Sequence, residues 1–397
     1  MLLLRPRDGV IDPAEVGPEG YFSVGQIERA EDFRSGQLTL YGLRVAIELG
    51  VLVLLVRRPP AWLRAPRRPV VMGAAAGAVL SLVTSVVVLP VGAIMRQRAV
   101  DVGLVTQAWS GWASDVVLSL AIGAVIAGAG AAIAVLLLRR RGWWLPAAAV
   151  IVAFGAGLTY LQPIVLDPLF NTFKALPEGR LRTDVVDLAR RAGVDVGEVY
   201  VMDASKRTTA ANAYVAGLGG TKRVVLYDNL VEGLPRAEGG LDRRDENTFT
   251  REEVELVVAH ELAHVHYDDV PNGLLFLAIV APAGMFAVSR LTSAWTPRGA
   301  STAAAIPALA LSLAIVVPVV TTISNQLSRR VEARADTYAL ELTGEADAFI
   351  GFERRIALRN VSDPEPAAWR TWLLSTHPST IDRIGIGEAY KARRGGG

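Results

Sequence analysis

Six apolar runs constrain this chain more than any other feature, because each is about 20 residues long and so matches the hydrocarbon thickness of a bilayer. They lie at 40–56, 70–95, 113–138, 143–161, 274–291 and 303–323. In lipid every main-chain polar group must find its partner within the segment, so each run is expected as a helix. Hydrophobic residues make up 51% of the chain and gather into these runs. The fold class that follows is mainly α: a polytopic transmembrane helical bundle or barrel. Arg44 and Glu48 interrupt the first run. Four residues apart on a helix, they are expected either to pair on one face or to mark the run as partly interfacial.

The stretch between the fourth and fifth runs is polar and patterned. Residues 182–193 alternate apolar and charged positions at helical spacing, and 198–202 reads as a short strand after it. Residues 213–217 and 223–227 read as two further strands, with Leu218-Gly-Gly-Thr-Lys as the hairpin turn between them. The charged, glycine-containing stretch 236–253 is expected as a mobile loop. The expected division is an N-terminal segment 1–39, four transmembrane helices in 40–166, an α+β domain with a small sheet in 167–269, two more transmembrane helices in 270–323, and a helical C-terminal part in 324–397. The N-terminal Met-Leu-Leu-Leu-Arg passes at once into charged residues, so no cleavable signal peptide is expected.

The chemistry sits at the end of the α+β domain, in His260-Glu-Leu-Ala-His264. Residues four apart share a helical face, so His260 and His264 can direct two imidazoles at one metal ion. Glu261 stands beside them, placed to take a proton from a zinc-bound water whose pKa the metal lowers to about 7. A cofactor of one Zn²⁺ per chain is therefore expected, with His260 and His264 as ligands and Glu261 as catalytic base. A tetrahedral catalytic site needs a third protein ligand. The metzincin pattern would place a glycine at position 267 and a histidine at 270, where Tyr267 and Val270 stand. A carboxylate from a later helix remains, and Glu332 in Ser328-Arg-Arg-Val-Glu-Ala-Arg-Ala-Asp336 is the expected ligand. Asp336, four residues on, can accept the free N–H of a ligating histidine and fix its tautomer. Without a metal nearby, Glu332 and Asp336 would pair with Arg329, Arg330 and Arg334.

His377 precedes a proline, a common place for a turn residue; beside a metal it would stabilise the oxyanion of a tetrahedral intermediate. His266 faces away from the other two histidines and is expected to be structural. Asp268 and Asp269 are expected as solvated helix-end residues. With no cysteine in the chain, disulfides, thiolate catalysis and cysteine-bound metals are excluded. A net charge of +2 argues against a nucleic-acid partner.

Taken in order, Asp167-Pro-Leu-Phe-Asn-Thr-Phe-Lys-Ala-Leu-Pro-Glu-Gly, Ser205-Lys-Arg, Asn212-Ala-Tyr, the histidine motif, Arg329-Arg-Val-Glu332 through Asp336, and His377-Pro resemble the type I CAAX prenyl endopeptidases. These are integral-membrane zinc metalloproteases related to the HtpX heat-shock proteases. The resemblance implies a helical barrel around a water-filled chamber, with a zincin-like catalytic domain whose zinc faces inward. It implies that Glu332 completes the zinc site, that Asn212, Ala213 and Tyr214 bind substrate backbone, and that His377 contacts the transition state. The partners it implies are the lipid bilayer and a peptide or protein substrate, prenylated or membrane-embedded. Fuller family members carry an extra helix ahead of the segment resembling 21–37, for which this chain has no room, so closure of the chamber is expected to differ. A quality-control protease of HtpX type is the alternative within the class.

Two arguments on topology conflict. Five arginines in 57–68 and three in 139–141 place both loops in the cytoplasm by the positive-inside rule, and the catalytic block outside. The resemblance implies the reverse, a catalytic site on the cytoplasmic side of a bacterial plasma membrane, and that expectation is kept. A divalent-metal transporter is the reading from a different class. Transporters place their ligands near the middle of the spans, whereas His260, His264 and Glu332 flank the fifth and sixth runs.

Overall fold

A computed structural model describes residues 6, 8–64, 67–195, 198–217, 219–231 and 248–395. Each of the six apolar runs supplies, in whole or in part, a helix long and apolar enough to cross a membrane. The first helix, α1 (Val24–Arg57), is much longer than its apolar run. It opens on a capping box in which Ser23 and Gln26 satisfy each other's main-chain N–H. Its polar first half is retained because Ala30 and Phe33 pack against Ala99 and Val361. Arg44 and Glu48 do pair on one face, Nε to Oε1 at 3.0 Å.

The second run, read as one span to residue 95, is instead broken into α2 (Pro69–Val87) and α3 (Leu89–Asp101). Pro90 supplies the reason, since it lacks an N–H and its ring clashes with the carbonyl four residues back. Two further spans follow, α4 (Trp109–Leu137) and α5 (Trp144–Leu161). α2 and α4 approach so closely that a Cβ on Gly77 would stand 2.4 Å from the carbonyl oxygen of Ala127. Small residues at such crossings are how membrane helices gain van der Waals contact without a hydrophobic drive.

The polar block folds as β1 (Phe173–Ala175), α6 (Arg180–Arg191), β2 (Glu198–Met202), β3 (Ala213–Ala216) and β4 (Arg223–Tyr227). The sheet order is β1-β2-β4-β3, with β3 at one edge. β3 and β4 form the expected antiparallel pair. Gly217, at φ +96, turns the chain there, and a side chain on it would collide with the main chain of Thr221 at 2.2 Å. Leu218 of the expected turn lies outside the described residues. Two features were not expected: β1, three residues long, and the parallel pairing of β2 with β4. Arg207, in the Ser205-Lys-Arg segment, ties this domain to the membrane helices. Its Nε and Nη2 hold the two carboxylate oxygens of Asp115 on α4 at 2.9 and 3.1 Å, and Nη1 reaches Asn171 at 3.1 Å.

Four helices come next: α7 (Arg251–His266), α8 (Asp269–Trp295), α9 (Ile306–Thr343) and α10 (Ala346–Arg359). The short α11 (Ala368–Leu374) and α12 (Thr380–Gly395) follow. Of the stretch expected as a loop at 236–253, residues 236–247 lie outside the described residues, and 251–253 already form the first turn of α7. A capping box of Thr250 and Glu253 starts the helix there. The boundary drawn between 323 and 324 falls inside α9, one unbroken helix that carries the sixth apolar run on to Glu332 and Asp336. α7 is gripped on several sides. Val254, Val258 and Leu262 pack with Val185, Val224, Leu226, Leu230 and Phe352, which joins the helix to α6, the sheet and α10.

Candidate metal centre

The middle of α7 is enclosed, so its polar residues there, His260 and Glu261 among them, must find partners in the protein. The ligand-capable atoms of His260, Glu261 and His264 lie within 4.8 Å of one another. The two imidazoles stand edge to face with ring centroids 5.0 Å apart. Glu332 reaches them from α9, its Oε2 3.3 Å from Nε2 of His260 and its Oε1 3.8 Å from Nε2 of His264. Oε2 of Glu332 is buried without a well-aligned hydrogen bond. An uncompensated buried carboxylate oxygen is costly, and a cation between it and two imidazole nitrogens removes that cost. Two nitrogens and one carboxylate are a donor set suited to a divalent metal with one position left open.

Both histidines are oriented from behind. Asp336, fully buried, places Oδ1 2.8 Å from Nδ1 of His260. Asp269 places Oδ2 2.9 Å from Nδ1 of His264 and accepts from Arg334 at 2.6 Å. The reading of Asp269 as a solvated helix-end residue is therefore corrected. The chain leaves α7 through Asp268, whose left-handed φ of 52° folds it back on itself and turns Asp269 inward. Asp268 is exposed, as expected. Arg334, a candidate partner for Glu332, is spent on Asp269 and on the ring of Tyr267, 3.9 Å below its guanidinium.

Behind Asp336 lies a layer that was not anticipated. Arg383 on α12 grips both oxygens of Asp336 and sets Nη1 2.9 Å from Oε1 of Glu353 on α10. The one available signal was its place six residues after His377. Burial pushes the Glu353 carboxyl up to about 7, against the pull of Arg383. Burial likewise raises the Glu261 carboxyl, while His260 and His264 oppose it.

The remaining residues separate cleanly. His377 sets Nε2 3.2 Å from Oε2 of Glu332, with Nδ1 2.8 Å from Oγ1 of Thr376. Burial lowers its pKa. His266 points elsewhere, 3.0 Å from the carbonyl oxygen of Ala192 and stacked near Tyr338. Asn212 and Ala213 line a cavity of about 80 Å³ with His260, Glu261, His377, Arg383 and Glu353. The Tyr214 ring is not brought to this group: it packs on Tyr227 and Met202. Sequence reasoning missed Val215, whose main-chain N–H donates to Oε2 of Glu261 at 3.1 Å.

A body of membrane-spanning helices joined to a small sheet, with two histidines and two glutamates gathered beside its edge strand, defines the class of integral-membrane metalloendopeptidases. The model of Peptidase family M48 matches residues 175–386, and the chain belongs to that family. It is 31% identical over 320 residues to the uncharacterized metalloprotease YhfN of Bacillus subtilis, covering 77% of this chain and 71% of that one. It is 29% identical over 259 residues to the CAAX prenyl protease 1 homolog of Caenorhabditis elegans, covering 59% and 58%. The chain thus spans little more than half of that relative's length. The crystal structure of S. mikatae Ste24p superposes with a TM-score of 0.74 over 94% of this chain and 91% of that one. At 18% identity the likeness speaks to the fold. The protein is a multi-pass membrane metalloprotease that acts on peptide or protein substrates with a catalytic metal; the transporter reading finds no support.

Proposed function

We propose that the metal is zinc, one per chain, held by His260, His264 and Glu332, and that the enzyme cleaves peptides presented at the cytoplasmic face of a bacterial plasma membrane. The observation that carries this reading is the convergence of three donors from α7 and α9 with the Glu261 carboxylate beside them. Zinc, when bound, supplies Lewis acidity that polarises the scissile carbonyl and makes water acidic enough to attack near neutral pH. Glu261 takes the proton from the attacking water at a carboxylate oxygen and later delivers it to the leaving amine. Asp336 and Asp269 accept the Nδ1–H of His260 and His264, which leaves each Nε2 lone pair free for the metal. His377 donates from Nε2 toward the oxygen that becomes negative as the carbonyl carbon turns tetrahedral. Asn212 and Ala213 hold the peptide on the edge of β3, as an added strand. The catalytic unit comprises 167–269 together with 324–397.

CAAX relatives support a prenylated substrate; an unprenylated membrane-protein substrate is the reading of HtpX type. Turnover of matched prenylated and unprenylated peptides by the purified protein, with and without a chelator, tests both parts. Chelation is expected to abolish cleavage and zinc to restore it. Cleavage that survives complete zinc removal would sink the metal assignment, and equal turnover of the two peptides would remove the prenyl requirement.

A further inference from the structure

The hydrogen bond between Val215 N–H and Glu261 joins the catalytic base to the strand on which a substrate would lie, and the ladder geometry gives that bond a second meaning. In an antiparallel pair, residues alternate between those that exchange hydrogen bonds with the partner strand and those turned away from it. Tyr227 N–H donates to the Asn212 carbonyl at 3.0 Å, which places 212 in the bonded set. The register Ala213↔Leu226, Tyr214↔Val225, Val215↔Val224 then puts Tyr214 in the same set and turns the main chain of Ala213 and Val215 outward. β3 is the edge strand, so those groups face the side where another strand can add. The Val215 N–H is one of them, and Glu261 Oε2 occupies it at 3.1 Å.

We infer that the substrate is read by the main chain of Ala213 and Val215, and that Glu261 rests on the Val215 N–H until a substrate carbonyl displaces it. The inference builds on the proposed roles of Glu261 as base and of β3 as the substrate edge. An added strand pairs through alternate residues, and the outward pair available here is 213 and 215. Full pairing therefore needs the donor that Glu261 holds. One N–H is exchanged between two acceptors, and no bond to hydrogen breaks. Before the exchange the carboxylate is held by a main-chain donor in a buried place, which suppresses its action as a base. Once a substrate carbonyl takes the donor, Glu261 is free to turn to the reacting water. A peptide that fills the site but is too short to pair with Val215 leaves the base parked.

Two measurements test this. The first is kcat and KM for peptides with one fixed scissile bond, extended one residue at a time on either side. The wild-type enzyme should show a step in kcat of about tenfold, of the size of one hydrogen bond to a charged group, at the length that reaches Val215. The second replaces Val215 by its α-hydroxy acid, which removes the N–H and keeps the side chain. In that variant the step should vanish, with short-peptide kcat rising about tenfold and long-peptide KM rising. A wild-type kcat independent of length would overturn the inference, whether or not the variant folds. So would a variant in which short-peptide kcat falls, since the N–H would then hold the base in its working place. Retained turnover in Glu261→Gln would instead remove the underlying proposal about the base.

Discussion

Arg383 holds Asp336 by both oxygens, from Nε to Oδ2 at 2.8 Å and from Nη2 to Oδ1 at 2.5 Å, and Oδ1 of that carboxylate stands 2.8 Å from Nδ1 of His260. Glu353, 2.9 Å from Nη1, fixes the guanidinium from its far side. The orientation of one metal-facing imidazole is thus set by residues on α9, α12 and α10. The two carboxylates are buried and Arg383 is largely enclosed between them, so neither acid can readily exchange the guanidinium for water.

The planar two-point grip cannot be reproduced by an ammonium group. Arg383→Lys should weaken zinc binding about 10–100-fold, the usual cost of losing an orienting partner behind a ligand. Arg383→Gln, which also leaves Glu353 an unpaired buried acid and Asp336 with His260 alone, should cost more and lower the melting temperature of the metal-free protein as well. Competition with a chelating dye reads the first effect and calorimetry of the apo form the second. Unchanged zinc affinity in both variants would remove the positioning role.

The two glutamates of the centre should separate by their metal content. Glu261→Gln keeps shape and reach but cannot accept a proton, so turnover should fall by about a hundredfold or more with zinc retained. Glu332→Gln exchanges an anionic ligand for a weakly donating amide and should lose zinc together with activity. Atomic emission beside peptide turnover measures both, and a reversal of the two zinc contents would reverse the roles.

Asp269 should behave as a counterpart of Asp336, one histidine further along α7. Asp269→Ala removes the acceptor 2.9 Å from His264 Nδ1 and frees Arg334. Zinc affinity is expected to drop about 10–100-fold. Asp268→Asn, one residue earlier, exposed and equally able to hold the left-handed φ there, should leave it unchanged. If the two variants bind zinc alike, the orientation of His264 does not depend on Asp269.

The side of the membrane is open to direct labelling, because the chain has no cysteine. Ser205 is exposed on the catalytic domain. Ser205→Cys should resist an impermeant thiol reagent in intact cells and react once the cells are opened. Ready labelling in intact cells would place the domain outside, as the arginine-rich loops argue.

What the sequence determined by itself is what depends on neighbours along the chain. The apolar runs announce spans because their length alone must match a bilayer, and His260 and His264 share a face because a helix repeats every 3.6 residues. The strands 198–202 and 223–227 and the β3–β4 hairpin follow from alternation and a turn, which are equally local. The tertiary structure decided the rest. The break at Pro90 is itself local, written in the sequence though not in its hydropathy, whereas the parallel pairing of β2 with β4 depends on a crossover between segments that are not adjacent in the chain. Asp269 was read as solvated because its turn inward rests on one left-handed residue before it, and Arg383 and Glu353 carry no local pattern that ties them to His260. Val215 was invisible for a deeper reason: what it contributes is a main-chain N–H, which every residue but proline possesses. Only the pairing of β3 with β4 and the packing of α7 at its edge select that donor for Glu261.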